Sequence, residues 1–341
     1  MPSRGAELKK LIARKNSFPF FRPVHPRRRL TVRMDTTNHC NLRCSMCPMR
    51  LSDNDPSRKW THMSAEVFQI IRSEVFPLAR TVGISCGAEP LANPDFIHHL
   101  QALYESGVPY RQMVTNGTLL TNKLIHSILR FPPTSLFVSI DGADDETHAV
   151  IRDGANLGEI LAMVEKLVAG RGRKLFPMIG FSTTLQKANL HQLEGIVKLA
   201  AEYRAASVGV VPLVPYEGLN TIDRVVDTNS AEAKDQITRA AQTAGKLGVE
   251  FHLSSEITDR KSAHPCSYLQ DTVFIDPHGS VFPCPYWNTE FPLGNVLEGF
   301  ENIWSGTEYK RLRNGKFKEE DNCLQCPEVT SRTVEVTKAR Q

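Results

Sequence analysis

Three thiols spaced three and two residues apart constrain this chain more than any other feature, in the stretch Asp35-Thr-Thr-Asn-His-Cys40-Asn-Leu-Arg-Cys44-Ser-Met46-Cys47-Pro48. They follow the alternating, β-branched run Leu30 to Met34, which reads as a strand. A loop leaving a strand end can fold all three sulfurs round one centre. Thiolates select soft metal ions, above all zinc and the iron of iron-sulfur clusters. Three ligands are one short of the four that a closed structural zinc site or an ordinary cubane uses. A [4Fe-4S] cluster on three cysteines keeps one iron open, and an open position is where a metal binds substrate instead of only holding the fold. On the triad alone, a zinc loop with a distant fourth ligand stays as the alternative.

This stretch resembles the signature of the radical S-adenosylmethionine (radical SAM) superfamily, C-x3-C-x2-C after the first strand. The resemblance implies a cubane on Cys40, Cys44 and Cys47 whose open iron takes the amino and carboxylate groups of S-adenosylmethionine (SAM). It implies reductive cleavage of SAM to a 5'-deoxyadenosyl radical that takes hydrogen from a substrate. The electron would come from an external donor such as flavodoxin or ferredoxin. In the family an aromatic or large apolar residue precedes the third cysteine, and Met46 stands there.

With 341 residues the chain can bury one large domain and a smaller one. No run of 18 apolar residues occurs, which excludes a membrane-spanning helix. The start lacks an apolar signal-peptide core, so the reducing cytoplasm is the expected compartment, where eight cysteines point to metal and not to disulfides. Residues 1–29 carry nine Lys or Arg against the single acid Glu7, leaving the rest of a chain with net charge +4 acidic. Such a run could meet nucleic acid; a solvated leader packed outside the core is the reading adopted, and nucleic acid is not the expected partner.

From residue 30 strands and helices alternate. Strand candidates are Thr31 to Thr37, Thr81 to Cys86, Tyr110 to Thr115, Ser135 to Asp141, Met178 to Thr184 and Ser207 to Val214. Amphipathic runs lie between them, the first capped by Ser64, the next closed by Gly107, and the sixth spanning Ala231 to Leu247. Before them come a short helical pattern from Gly5 to Lys15 and a Pro-rich extended segment. Six βα units imply a parallel sheet covered by helices. The family resemblance implies an open, partial (β/α)6 barrel of TIM type over residues 30–250, with the cofactor at the carboxyl ends of the strands.

The strand ends carry further matches. Cys86-Gly87-Ala88-Glu89-Pro90 resembles the family's G-G-E-P, which receives the SAM amino group; Ala88 replaces a glycine, tolerable if its φ is negative. Thr115-Asn116-Gly117 and Ser139-Ile140-Asp141-Gly142 are turn sequences whose order also resembles family stretches, making Asn116 and Ser139 candidate SAM contacts. His148 and Arg152 fall four apart in a helical run, and by resemblance Arg152 is a candidate partner for the SAM carboxylate. Cys86 is read as a small buried hydrophobe and not a ligand. Tyr216 and Glu217, after the sixth strand, are candidate catalytic residues, a general base for oxidation of a substrate radical.

Beyond residue 250 come Cys266, Cys284, Cys323 and Cys326. The first two bracket a hairpin, Thr272 to Asp276 and Ser280 to Pro283 across Pro277-His278-Gly279; the last two form a C-x2-C knuckle. Four cysteines make one closed site, for zinc or a second [4Fe-4S] cluster. The stretch resembles the SPASM and twitch extensions of radical SAM enzymes, which implies one auxiliary [4Fe-4S] cluster in a small domain over 251–341. The expected activity is oxidation or rearrangement of a small polar metabolite of sugar or cyclitol type, with twitch-bearing dehydrogenases as the nearer relatives. Modification of a ribosomally made peptide is the alternative, disfavoured because residues 1–29 are too short for a recognition domain. A non-enzymatic zinc-binding interaction protein is the alternative of another class.

Overall fold

The computed structural model describes residues 27–52, 59–85, 87–215, 218–253, 266, 268–284, 287 and 290–314. The expected helix from Gly5 to Lys15 lies outside the described residues, as do Cys86, Tyr216, Glu217, Cys323 and Cys326. Nine strands occur among those described: β1 (Leu30–Met34), β2 (Ala79–Ile84), β3 (Tyr110–Thr115), β4 (Ser135–Ser139), β5 (Met178–Leu185), β6 (Ser207–Pro212), β7 (Glu250–Leu253), β8 (Thr272–Ile275) and β9 (Val281–Phe282). Several stop short of the β-branched runs that mark them. The expected continuation of β1 to Thr37 fails because the backbone there turns to another partner: Thr36 O accepts the Met63 N–H at 2.8 Å, and Thr37 bridges His62. The residues fall into two compact units, one built on Cys40–Lys59 and Gln112–Ser254, the other on His25–His39, Trp60–Arg111 and Ser255–Gln341.

In the first unit β3, β4, β5, β6 and β7 lie side by side in sequence order, all parallel. Parallel neighbours need long crossovers, and helices Asn122–Arg130, Leu157–Arg171, Leu193–Glu202 and Ala231–Leu247 supply them. Side chains start most of these helices: Thr121, Asn156 and Ser230 each accept a backbone N–H three residues on, a cap typically worth ~1 kcal/mol. Leu136, Val138, Ile179, Phe181, Val208 and Val210 bury the sheet under them.

In the second unit β1 pairs in parallel with β2 on one side and with β8 on the other. The expected hairpin is present: β8 and β9 pair antiparallel, and the Asp276 carboxylate takes the His278 and Ser280 N–H groups in the turn. The parallel pairing of β8 with β1 is not part of any hairpin signal, which specifies only the local partner. The helix Ala65–Ile70 is capped by Ser64 as expected, then loosens into a π turn over Ile71–Val75. Arg28, from the basic leader, has a structural task. Its guanidinium donates to the carbonyls of Phe76 and Ser106, each at the end of a helical turn, and of Ala79 at the head of β2.

His99 makes this unit acid-sensitive. Its ring packs 4.1 Å from that of Phe68, it is buried, and burial brings its pKa down to about 4. The unfolded chain protonates near the ordinary 6.5, so it binds more protons than the folded one between those values, and stability falls as the pH is lowered through that window. His99→Phe keeps the ring contact and removes the proton site. Urea denaturation at pH 7 and pH 4 should show the variant losing about 3 kcal/mol less than the parent between the two; an equal loss in both proteins would refute this.

Candidate functional site

In the first unit the cysteine loop is fastened to the end of the helix Asp145–Ile151. Arg43 N–H donates to Asp153 O at 3.1 Å and Ser45 N–H to Ile151 O at 2.9 Å, so loop donors satisfy carbonyls that the ending helix leaves open. Arg224 Nη1 donates to Ser45 O from the far side. Leu42, Cys44 and Met46 bury themselves with Ile151 and Leu213, and Cys40 and Cys47 pack against this group. Met46 is thus buried in an apolar group. Gly154 has a positive φ of 93°, and a Cβ there would lie 3.3 Å from Leu42 Cδ2, so the chain passes close over the loop.

The end of β3 grips the same loop. Asn116 Nδ2 donates to Asn41 Oδ1 at 3.1 Å and faces Cys40 Sγ at 3.9 Å. Its own Oδ1 accepts from the N–H and hydroxyl of Thr118, whose hydroxyl also accepts from Asn41 Nδ2. Asn41 and Thr118 have no signature in sequence, since a polar residue in a βα loop carries no distinguishing signal.

At the end of β4, Asp141 is fully buried and paired with Arg152, Nε to Oδ2 at 2.6 Å. Arg152 Nη1 reaches Cys44 Sγ at 3.9 Å. Arg152 does not lie on the face of a helix: the helix ends at Ile151, and Arg152 caps it, its N–H donating to His148 O. His148 is fully buried beside it, and its Nδ1 accepts the Asp141 N–H at 3.2 Å, which places the ring proton on Nε2. Burial and then Arg152 bring the His148 pKa down to about 4, so the ring is neutral. Gly142 has a plain steric reason: a Cβ would come 2.5 Å from the His148 backbone nitrogen. Ser139 ends β4, nearly buried, with its hydroxyl unpartnered among the described residues.

In the second unit, β2 leads into the Gly87-Ala88-Glu89-Pro90 turn. The positive φ falls on Ser85, at 85°, and not on Ala88, so the departure from a second glycine costs nothing there. A left-handed serine costs roughly 1–2 kcal/mol. Its hydroxyl donates to Ala88 O at 2.8 Å, and the Asp35 carboxylate takes the Gly87 N–H, together fixing the turn. Glu89 is buried, its N–H donates to His39 O, and its Oε1 accepts the Leu91 N–H at the head of the short helix Pro90–Ala92. Farther along, Cys266 packs with Leu269, Leu312 and Trp287, and Cys284 follows β9.

Residues 34–200 match the Radical SAM superfamily, and residues 266–327 match SPASM, an iron-sulfur cluster-binding domain. The chain is a radical SAM enzyme with a SPASM domain. It is similar to the AdoMet-dependent heme synthase of Methanosarcina barkeri, 28% identical over 83% of this chain and 84% of that protein. It is also similar to the mycofactocin maturase MftC of Mycobacterium tuberculosis, 25% identical over 82% of this chain and 71% of that one. Among solved structures, Streptococcus suis SuiB bound to its precursor peptide SuiA shares the fold: TM-score 0.68, 17% identity, 95% of this chain and 72% of that chain covered. The radical SAM enzyme thus has the expected α/β architecture, its parallel sheet being of the partial-barrel type, and its radical SAM domain binds a [4Fe-4S] cluster and SAM.

The donor set of this radical SAM enzyme suits such a group. Burial pushes the Cys44 thiol up to about 11, against the pull of Arg152, so without a metal it stays protonated at neutral pH. Two of the three sulfurs are nevertheless faced by N–H donors, from Asn116 and Arg152. Donors aimed at sulfur match thiolate ligands, which accept, better than free thiols. No helix among the described residues is long and apolar enough to cross a membrane.

Proposed function

We propose that this radical SAM enzyme modifies a peptide, with Cys40, Cys44 and Cys47 holding the SAM-binding cluster. A sugar or cyclitol, the substrate expected from sequence, fits the similarities less well than a peptide does. The observation that carries the peptide reading is the similarity to the maturase MftC over 82% of the chain. The SuiB complex supports it in one respect, since a fold of this kind accommodates a peptide. When bound, the cluster supplies the electron that cleaves SAM and so generates the hydrogen-abstracting 5'-deoxyadenosyl radical.

The chain's own residues then bind and orient. Ser139 offers a hydroxyl without a partner among the described residues, and Arg152 an Nη2 with no hydrogen bond among them, for the SAM carboxylate. The Gly87-Ala88-Glu89-Pro90 turn, held by Asp35 and Ser85, would receive the amino group. Asn116 ties the loop bearing Cys40 to β3. Cys266, Cys284, Cys323 and Cys326 would hold one auxiliary [4Fe-4S] cluster, and Tyr216 or Glu217 would accept a substrate proton. The electron would arrive from a flavodoxin or ferredoxin.

The test is reconstituted enzyme with SAM and dithionite, offered short gene-encoded peptides on one side and sugars and cyclitols, deuterated at carbon, on the other. A peptide that stimulates 5'-deoxyadenosine formation at least tenfold and passes its deuterium into that product supports the reading. Stimulation and deuterium transfer confined to the cyclitols would overturn it.

A further inference from the structure

The Asp141–Arg152 pair is built more elaborately than a strand-end turn requires. Asp141 is fastened on every polar atom: Oδ1 accepts the Thr184 N–H at 2.6 Å, the carbonyl accepts Asn189 Nδ2 at 2.9 Å, and the N–H donates to His148 Nδ1. Asn189 is itself fixed, donating to Thr184 O and accepting from Gln186 N–H. The remaining oxygen, Oδ2, takes Arg152 Nε at 2.6 Å. A guanidinium is planar and rigid, so an Nε held at that oxygen dictates where Nη1 points. It points at Cys44 Sγ, 3.9 Å away.

We propose that Asp141 is a positioning residue that holds Arg152 against the Cys44 sulfur and thereby raises the reduction potential of the cluster on that sulfur. This rests on the reading that Cys40, Cys44 and Cys47 carry that cluster. Reduction adds an electron to a centre whose ligands are already anionic. A cation and an N–H donor at a ligand sulfur favour the more negative state, and hydrogen bonds to sulfur are a recognised control on such potentials. The Asn116 Nδ2–H facing Cys40 Sγ acts in the same direction.

The sign of one substitution separates positioning from simple charge. In Asp141→Asn an oxygen remains for the Thr184 N–H while an amide NH2 is turned toward Nε. If Arg152 stayed in place without its counter-charge, the potential would rise. If Asp141 is what holds it there, the guanidinium leaves Cys44 and the potential falls.

The measurement is an EPR-monitored redox titration of reconstituted full-length enzyme, with the SPASM cluster as internal standard. Asp141→Asn and Arg152→Met should each reduce the reduced fraction of the first cluster about tenfold at a fixed poise, ~59 mV for a one-electron couple. The double variant should shift no further, and the SPASM cluster should not move. An unchanged or raised potential in Asp141→Asn overturns the proposal. Should that variant not accumulate, Asp141→Glu keeps the charge but displaces the carboxylate from Arg152 Nε, and is read the same way: a fall supports, no change overturns. A parent protein with no cluster on Cys40, Cys44 and Cys47 overturns the underlying reading and the proposal together; a cluster indifferent to Asp141 overturns the proposal alone.

Discussion

Alanine at Cys40, Cys44 and Cys47 together should abolish 5'-deoxyadenosine formation while about half of the iron stays with the protein. Two cubanes carry eight irons, roughly, and the triple variant removes the ligands of one of them only. The loss should be all-or-none because SAM cleavage would depend on that one cluster, whereas Cys266 and Cys284 belong to the other compact unit. Cys86→Ala is the matched control: Cys86 lies outside both proposed ligand sets, and the iron content of the variant should equal that of the parent. Iron and sulfide analysis with chromatography of the nucleoside product reads both. Product formation retained in the triple variant would dissociate the loop from the chemistry.

Removing one half of the buried ion pair should be the most damaging change to stability. Asp141→Leu leaves the Arg152 cation with its side chain only 12% exposed and no counter-charge, and breaking a pair in this way costs about 3–5 kcal/mol. Burial alone pushes the Asp141 carboxyl upward; Arg152 and the Thr184 N–H oppose that, which is why the partner is indispensable to the charge. Asp141→Leu combined with Arg152→Met removes both charges from the interior and should recover most of the loss. Urea denaturation of the four proteins closes the cycle. Additive losses in the double variant would mean that the two residues contribute independently.

The strand and helix alternation is legible because it depends on local pattern: β3 falls on its expected bounds, Ser64 caps its helix, and Gly107 follows the next with a φ of 69°. The thiol spacing was legible for the same reason. What was not legible depends on partners distant in sequence. The pairing of β8 with β1 joins residues more than two hundred positions apart, and Arg28 meets Phe76, Ala79 and Ser106 only in the folded chain. Asp141 was hidden inside Ser139-Ile140-Asp141-Gly142, where an acid before glycine looks like any turn former. Its burial and its hold on Arg152 have no signature in sequence. The substrate has no signature in sequence, because the length of residues 1–29 says little about what enters a cleft.

One corner of a cubane held by Cys40, Cys44 and Cys47 should be free to bind SAM. EPR of the dithionite-reduced, oxygen-protected enzyme, recorded with and without SAM, tests it most directly. One of the two cluster signals should shift its g values on adding SAM, and that shift should be absent from the triple alanine variant. A protein that takes up only zinc, or a spectrum that SAM leaves untouched, would contradict it.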